Sequence, residues 1–267
     1  MKPRVLVLMH GFLGSSTDWN FLTEGPSFKN WIVIKPDLFS AHSDKNLFKP
    51  LSQWGNCFWI FILEKLQEIT KKKDSALENF DFYLCGYSLG GRLLLHAFHE
   101  KPKVVQKAVF ISASYGFFND TNFNSEKRKL RRQQDAIWAS DFNSCKSEVG
   151  FDDLICKWNN QDVFVNKNQS STTSFKKSFT QYNMDRLAFA LTEWGQAEQK
   201  FYLNETIDWI KTYWIYGSND HKYEKLYSDL ISKVPTENIF AIEKAAHRVS
   251  FDNPVLTAQT LEKILLK

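Results

Sequence analysis

No apolar run in this 267-residue chain approaches the length of a bilayer crossing, which takes about 20 residues. Membrane-spanning helices are therefore not expected. The nearest thing to a leader is Lys2 and Arg4 ahead of Val5-Leu6-Val7-Leu8-Met9; it is too short for a signal peptide and gives way to His10-Gly11. Cysteine is scarce. Cys57, Cys85, Cys145 and Cys156 show no paired spacing of the metal-binding kind, and all four are expected to be reduced thiols of a cytoplasmic protein. Excess charge is small as well. The formal net charge of +4 is too mild to argue for a nucleic-acid partner. His10, His42, His96, His99 and His221 fall at no metal-ligand spacing, and no cofactor motif is visible, so neither a metal nor a cofactor is expected. Internal repeats and low-complexity tracts are missing too.

What is present is a chain able to bury a large core, with 43% hydrophobic and 24% charged residues. Aromatic content is high, with 23 Phe and 9 Trp, which points to a lined pocket or a bulky lid. Strand and helix signals alternate along the chain, which implies an α/β fold: a mostly parallel sheet of about six strands covered by helices on both faces. Strands are expected at Arg4 to Met9, Trp31 to Pro36, Phe80 to Cys85, Lys103 to Ala113, Thr212 to Gly217 and Asn238 to Ile242. Leu51 to about Lys72 reads as a helix, with Leu51, Trp54, Phe58, Phe61, Ile62, Leu66 and Ile69 on one stripe. Further helices are expected around Tyr223 to Ser232 and over Pro254 to Leu266.

Residues 115–202 break the alternation. The stretch is too long for a loop yet carries helical patterning and many aromatics. We read it as a helical cap subdomain inserted into a core of residues 1–114 and 203–267. Asp120 to Ser125 reads as the loop leading into it, and Val165 to Ser174, rich in Asn and Ser, as a loop inside it.

The stretch FDFYLCGYSLGGR, residues 80–92, holds the strongest chemical signal. A short apolar strand runs into Gly86-Tyr87-Ser88-Leu89-Gly90 and then into a helical run. A serine between two glycines at a strand-to-helix corner is pushed out where a base can reach it, and the helix N-terminus faces whatever forms on its oxygen. The competing reading is a glycine-rich turn whose serine caps the helix. Asp220 and His247 follow in the order Ser, Asp, His and complete a candidate triad. Asp208, Glu243 and Asp37 are the reserve acids.

On these residues the sequence resembles the α/β-hydrolase superfamily over nearly its whole length. His10-Gly11-Phe12 is similar to the family's oxyanion loop, Gly86 to Gly90 to its nucleophile elbow, Gly217-Ser218-Asn219-Asp220 to its acid loop and Ala246-His247 to its histidine loop. The resemblance implies Ser88, Asp220 and His247 as catalytic residues, with an oxyanion hole formed by the backbone N–H groups of Phe12 and Leu89. Two departures stand out. The chain begins at what would be the family's third strand, and Asp37-Leu38-Phe39-Ser40-Ala41-His42-Ser43 replaces a loop that relatives write as D-L-P-G-H-G-x-S.

A narrower resemblance is to the menaquinone-pathway synthases that make 2-succinyl-6-hydroxy-2,4-cyclohexadiene-1-carboxylate by eliminating pyruvate. It rests on HGFLGSSTDW, GYSLGGR, the Asp220 to Tyr223 segment, EKRKLRRQQDAIWA (Glu126 to Ala139) and WNNQDVF (Trp158 to Phe164). It implies a small anionic substrate whose carboxylates meet Arg92, Arg131 and Lys222 in a pocket lined by Tyr87 and Trp158. Asn159 stands where that family has the second aromatic of a Trp-Tyr pair, and Phe179 falls near a family arginine of the cap. Independently of the resemblance, Arg92 starts about one helical turn beyond Ser88 and could either grip a carboxylate or pack its stem on the sheet and pair with an acid. The same parts would also serve a carboxylesterase or C–C bond hydrolase, or, with the triad idle, a binding protein.

Overall fold

The computed structural model describes residues 2–116, 122–164, 178–203, 205 and 207–267. Six strands, β1 (Arg4–Met9), β2 (Ile32–Ile34), β3 (Asp81–Tyr87), β4 (Val105–Ile111), β5 (Thr212–Gly217) and β6 (Ile239–Ile242), form one sheet. Their order is β2-β1-β3-β4-β5-β6, and every neighbouring pair is parallel. The continuous apolar character of the central strands follows from this. In β1, Val5, Val7 and Met9 pack into one core while Leu6 and Leu8 pack into the other, and all five are fully buried.

Helices cover both faces. α1 (Asn20–Thr23) and α9 (Pro254–Leu266) contribute to the core on one side; α2 (Leu51–Thr70) and α3 (Leu89–Glu100) contribute to the core on the other. The apolar stripe of α2 packs as its spacing predicts, except that Ile69 is 51% exposed. The helix ends at Lys71, whose φ of 59° breaks it. Most other boundaries shift by one or two residues. The largest changes are β4, seven residues where Lys103 to Ala113 was expected, β2, three residues rather than six, and the segment from Tyr223, where an α-helix over His221–Ser228 passes into a 3-10 turn over Asp229–Ser232.

Between β4 and β5 the described residues include three α-helices, α4 (Asn122–Ser144), α5 (Glu148–Asn159) and α6 (Met184–Glu193). Asn122 to Ser125, expected as loop, is already part of α4. The expected loop from Val165 to Ser174 lies outside the described residues. Phe142, Phe151, Trp158, Leu187 and Trp194 of this insertion belong to the same apolar core as α2 and α3. Each such side chain contributes roughly 1.5–3 kcal/mol by burial, which seats the helices on the sheet. Polar ties reinforce the contact: the Trp194 indole N–H donates to the Lys49 carbonyl at 2.8 Å. Two short elements complete the helices, α7 (His221–Ser228) after β5 and α8 (Val249–Asp252) before α9.

The strand order decides where a ligand can sit. From β1 the chain moves outward to β2, then returns to place β3 on the other side of β1. Connections leave in opposite directions at that point, so a crevice opens at the carboxyl ends of β1 and β3.

Candidate active site

The corner between β3 and α3 is a single residue, Ser88, at φ 51° and ψ −112°. Such a backbone costs a non-glycine residue about 1–3 kcal/mol and persists only where its surroundings dictate it. Here they do. A Cβ on Gly90 would stand 2.3 Å from the Met9 carbonyl oxygen, and one on Gly86 would stand 2.6 Å from the Gly91 nitrogen. The glycines are there because backbone meets backbone.

Ser88 Oγ lies 3.2 Å from His247 Nε2, and His247 Nδ1 lies 3.2 Å from Asp220 Oδ2. A carboxylate can only accept, so Nδ1 carries the proton and Nε2 is left to accept from the serine hydroxyl. Asp220 is a helix cap as well: its Oδ1 accepts the Tyr223 N–H of α7 at 3.2 Å, which fixes the carboxylate. The histidine loop presses against the acid loop so closely that a Cβ on Gly217 would lie 2.3 Å from the carbonyl oxygens of Ala245 and Ala246. The reserve acids are occupied elsewhere or exposed. Asp208 pairs with Lys211, Asp37 accepts from the N–H groups of Phe39 and Ser40, and Glu243 faces outward.

Rings of Tyr87, Phe164 and Tyr223 surround the His247 imidazole at 5.6, 5.6 and 5.1 Å. Burial pushes the His247 pKa below its ordinary value; Asp220 opposes this, while Lys222 and Arg248 add to it. The imidazole therefore rests neutral, as a base must. The acid limb of kcat/KM is expected to lie below pH 6.5, the ordinary imidazole value. A pH–rate profile checks this, and loss of activity already above that pH would mean a histidine charged at rest.

Phe12 and Leu89 line the same cavity as Ser88. Leu89 opens α3, so its N–H has no intrahelical acceptor, and neither amide has a hydrogen-bond partner among the described residues. The loop carrying Phe12 is braced by His10. Its Nε2 accepts the Leu38 N–H at 2.9 Å, which leaves Nδ1 as the donor to the Gly11 carbonyl at 2.8 Å. The divergent loop after Asp37 thus serves as a floor for the loop above it.

A cavity opens over Ser88, walled by Phe12, Leu89, Trp158, Phe164, Tyr223 and His247 and by the polar side chains of Arg92, Arg131, Asp135, Gln161 and Lys222. Among the described residues Arg92 forms no ion pair with an acid. One of its terminal nitrogens donates to the Trp194 carbonyl at 2.6 Å, and burial, followed by the nearby Arg131 charge, lowers its pKa to about 10, so it stays charged. Burial and the Arg131 charge also lower the pKa of Lys222.

Two expectations change. Arg131 is not an open clamp, because its Nε lies 2.9 Å from both oxygens of the buried Asp135 carboxylate, one helical turn along α4. Tyr87 does not line the cavity; its ring lies under Gly11, where a Cβ would stand 2.8 Å from it, and beside His247. Sequence reading missed Asp135, Gln161, Phe164 and Tyr223. For Asp135 a signal was available, since an acid four residues after an arginine pairs with it on a helix. Asn159, in place of an aromatic, accepts from the Arg248 guanidinium, which also lies 4.4 Å over the Phe164 ring.

No group of three or more metal-ligating side chains occurs among the described residues. None of the described helices is long and apolar enough to cross a membrane.

A sequence model of the alpha/beta hydrolase fold family matches residues 4–254. The 2-succinyl-6-hydroxy-2,4-cyclohexadiene-1-carboxylate synthase of Klebsiella pneumoniae is 24% identical over 97% of this chain and 93% of its own. The enzyme of the same name from Escherichia coli O1:K1 is 25% identical over the same shares. Among solved structures, MenH from S. aureus superposes with a TM-score of 0.75 at 18% identity, covering 100% of this chain and 94% of that one. The carboxylesterase CesB from Bacillus subtilis reaches a TM-score of 0.58 at 17% identity, covering 98% and 84%.

Proposed function

Because the chain belongs to the α/β-hydrolase fold family, we propose that it is a lyase of menaquinone biosynthesis that eliminates pyruvate from a carboxylated cyclohexene. The observation that carries this reading is the charge around the serine. Arg92, Arg131 and Lys222 face the cavity against one carboxylate, Asp135, an excess of cations suited to a polyanionic substrate and poorly suited to a neutral ester.

In this reading Ser88 Oγ takes a proton from a carbon beside an electron-withdrawing group and passes its own proton to His247 Nε2. Asp220 holds the imidazole in the needed tautomer and steadies the imidazolium. The N–H groups of Phe12 and Leu89 stabilise the negative charge that develops as pyruvate leaves, each such donor being worth about 3 kcal/mol. The insertion acts as a cap subdomain, its aromatics keeping water from the reacting atoms. No cofactor is required. A cytoplasmic location, expected from the cysteine pattern, belongs to the same proposal.

The second reading, a carboxylesterase or C–C bond hydrolase, draws on the same Ser88–His247 contact. Water then separates the two. With the pathway intermediate, the purified protein is expected to yield pyruvate one-for-one with ring product and to place no oxygen-18 from labelled water in a carboxylate group. An acyl adduct on Ser88 during turnover of its best substrate, or oxygen-18 in a product carboxylate, would favour the hydrolase.

A further inference from the structure

Phe12 is followed by a residue that has no intrinsic reason to hold its conformation. Leu13 sits at φ 59°, the left-handed region that leucine avoids. Its carbonyl accepts a hydrogen bond from the Tyr182 hydroxyl at 2.6 Å. Tyr182 belongs to the insertion, 169 residues along the chain, and its ring packs against buried Phe151 of α5 at 5.4 Å. The next residue repeats the tie: the Asn183 N–H donates to the Phe39 carbonyl at 2.8 Å. Phe39 follows Leu38, whose N–H reaches His10, and His10 returns to Gly11. The hydrogen bonds close a circuit from the insertion through the Asp37 loop, through His10 and back to the loop that carries Phe12.

Within that loop, Gly11 O already accepts the Gly14 N–H at 3.0 Å as well as the His10 donor. The Leu13 carbonyl is thus where a hydrogen bond from the insertion takes hold of the loop, beside the packing of the Phe12 ring on Phe142 and Trp158 at 5.5 and 4.7 Å. Rotation of the Leu13 peptide out of its left-handed state would swing the backbone next to the Phe12 amide.

We propose that Tyr182 is a positioning residue for the oxyanion hole: its hydroxyl, anchored on Phe151, holds the Leu13 carbonyl and so aims the Phe12 N–H at the oxygen formed beside Ser88. The inference rests on the reading of Phe12 as an oxyanion donor. It makes oxyanion stabilisation depend on the seating of the inserted helices, because Tyr182 and Asn183 reach the loops beneath from the insertion.

The test is Tyr182→Phe, which keeps the ring against Phe151 and removes only the hydroxyl. Two rates are followed well below the melting temperature: kcat on the best substrate, and phosphonylation of Ser88 by a fluorophosphonate, whose P=O must enter the oxyanion hole whatever the natural substrate. Both are expected to fall about tenfold, with KM changed less than twofold and the acid limb of the pH profile unmoved, since His247 is not touched. A lowered melting temperature with both rates intact would overturn the proposal and leave Tyr182 a packing residue. Equal rates and equal stability would overturn it too. A wild-type protein that the probe does not label would overturn the reading of Ser88 itself, and this inference with it.

Discussion

Ser88→Ala and His247→Ala are each expected to lower kcat by roughly 10⁴–10⁶, and the double variant to be no worse than either alone. The reason is the single hydrogen-bonded line from Asp220 through His247 to Ser88. A base without its serine, or a serine without its base, abstracts no proton, so the second deletion removes nothing further. Asp220→Asn should cost about 10⁴, because an amide facing Nδ1 can present its N–H and invert the tautomer. That variant has a second consequence. Asp220 Oδ1 also caps α7, so loss of stability must be separated from loss of chemistry by measuring kcat at saturating substrate together with the melting temperature. Activity of Asp220→Asn equal to wild type would remove this acid from the mechanism.

Arg92→Ala is expected to cost about 1.5–3 kcal/mol in kcat/KM on an anionic substrate, a loss of roughly 10- to 150-fold, and little on a neutral ester. Arg92 also holds the Trp194 carbonyl, so Arg92→Lys serves as the control that keeps the charge. Arg131→Ala should be worse than Arg92→Ala. It strips the buried Asp135 of its partner and leaves a carboxylate facing the incoming anion. Adding Asp135→Asn to Arg131→Ala is then expected to recover part of the loss. Equal losses on charged and neutral substrates in all these variants would mean that the arginines support the fold and do not meet the substrate.

Much of this protein was legible in the sequence because the determinants are local. Alternation of apolar runs with 3.6-residue periodicity gave the order of strands and helices. The elbow could be read because Gly86 and Gly90 answer to a backbone approach that recurs wherever a strand turns sharply into a helix. Ser88, Asp220 and His247 could be matched in order, since each ends a strand-to-loop transition that patterning locates.

Tertiary structure decided what depends on pairs distant in sequence. It gave Arg92 to the Trp194 carbonyl, 102 residues away, because a guanidinium takes whichever acceptor the fold brings within reach, and sequence order does not say which. It exposed Ile69, since burial depends on what the fold packs around a side chain and not on the helix's own period. It moved Tyr87 from the pocket to a place beneath Gly11, because the residue before a corner as tight as Ser88 faces away from the residue it displays. The tie from Tyr182 to Leu13 belongs to the same class. A hydroxyl and a carbonyl 169 residues apart leave no trace in composition or periodicity, and only the packing of the insertion on the sheet brings them together.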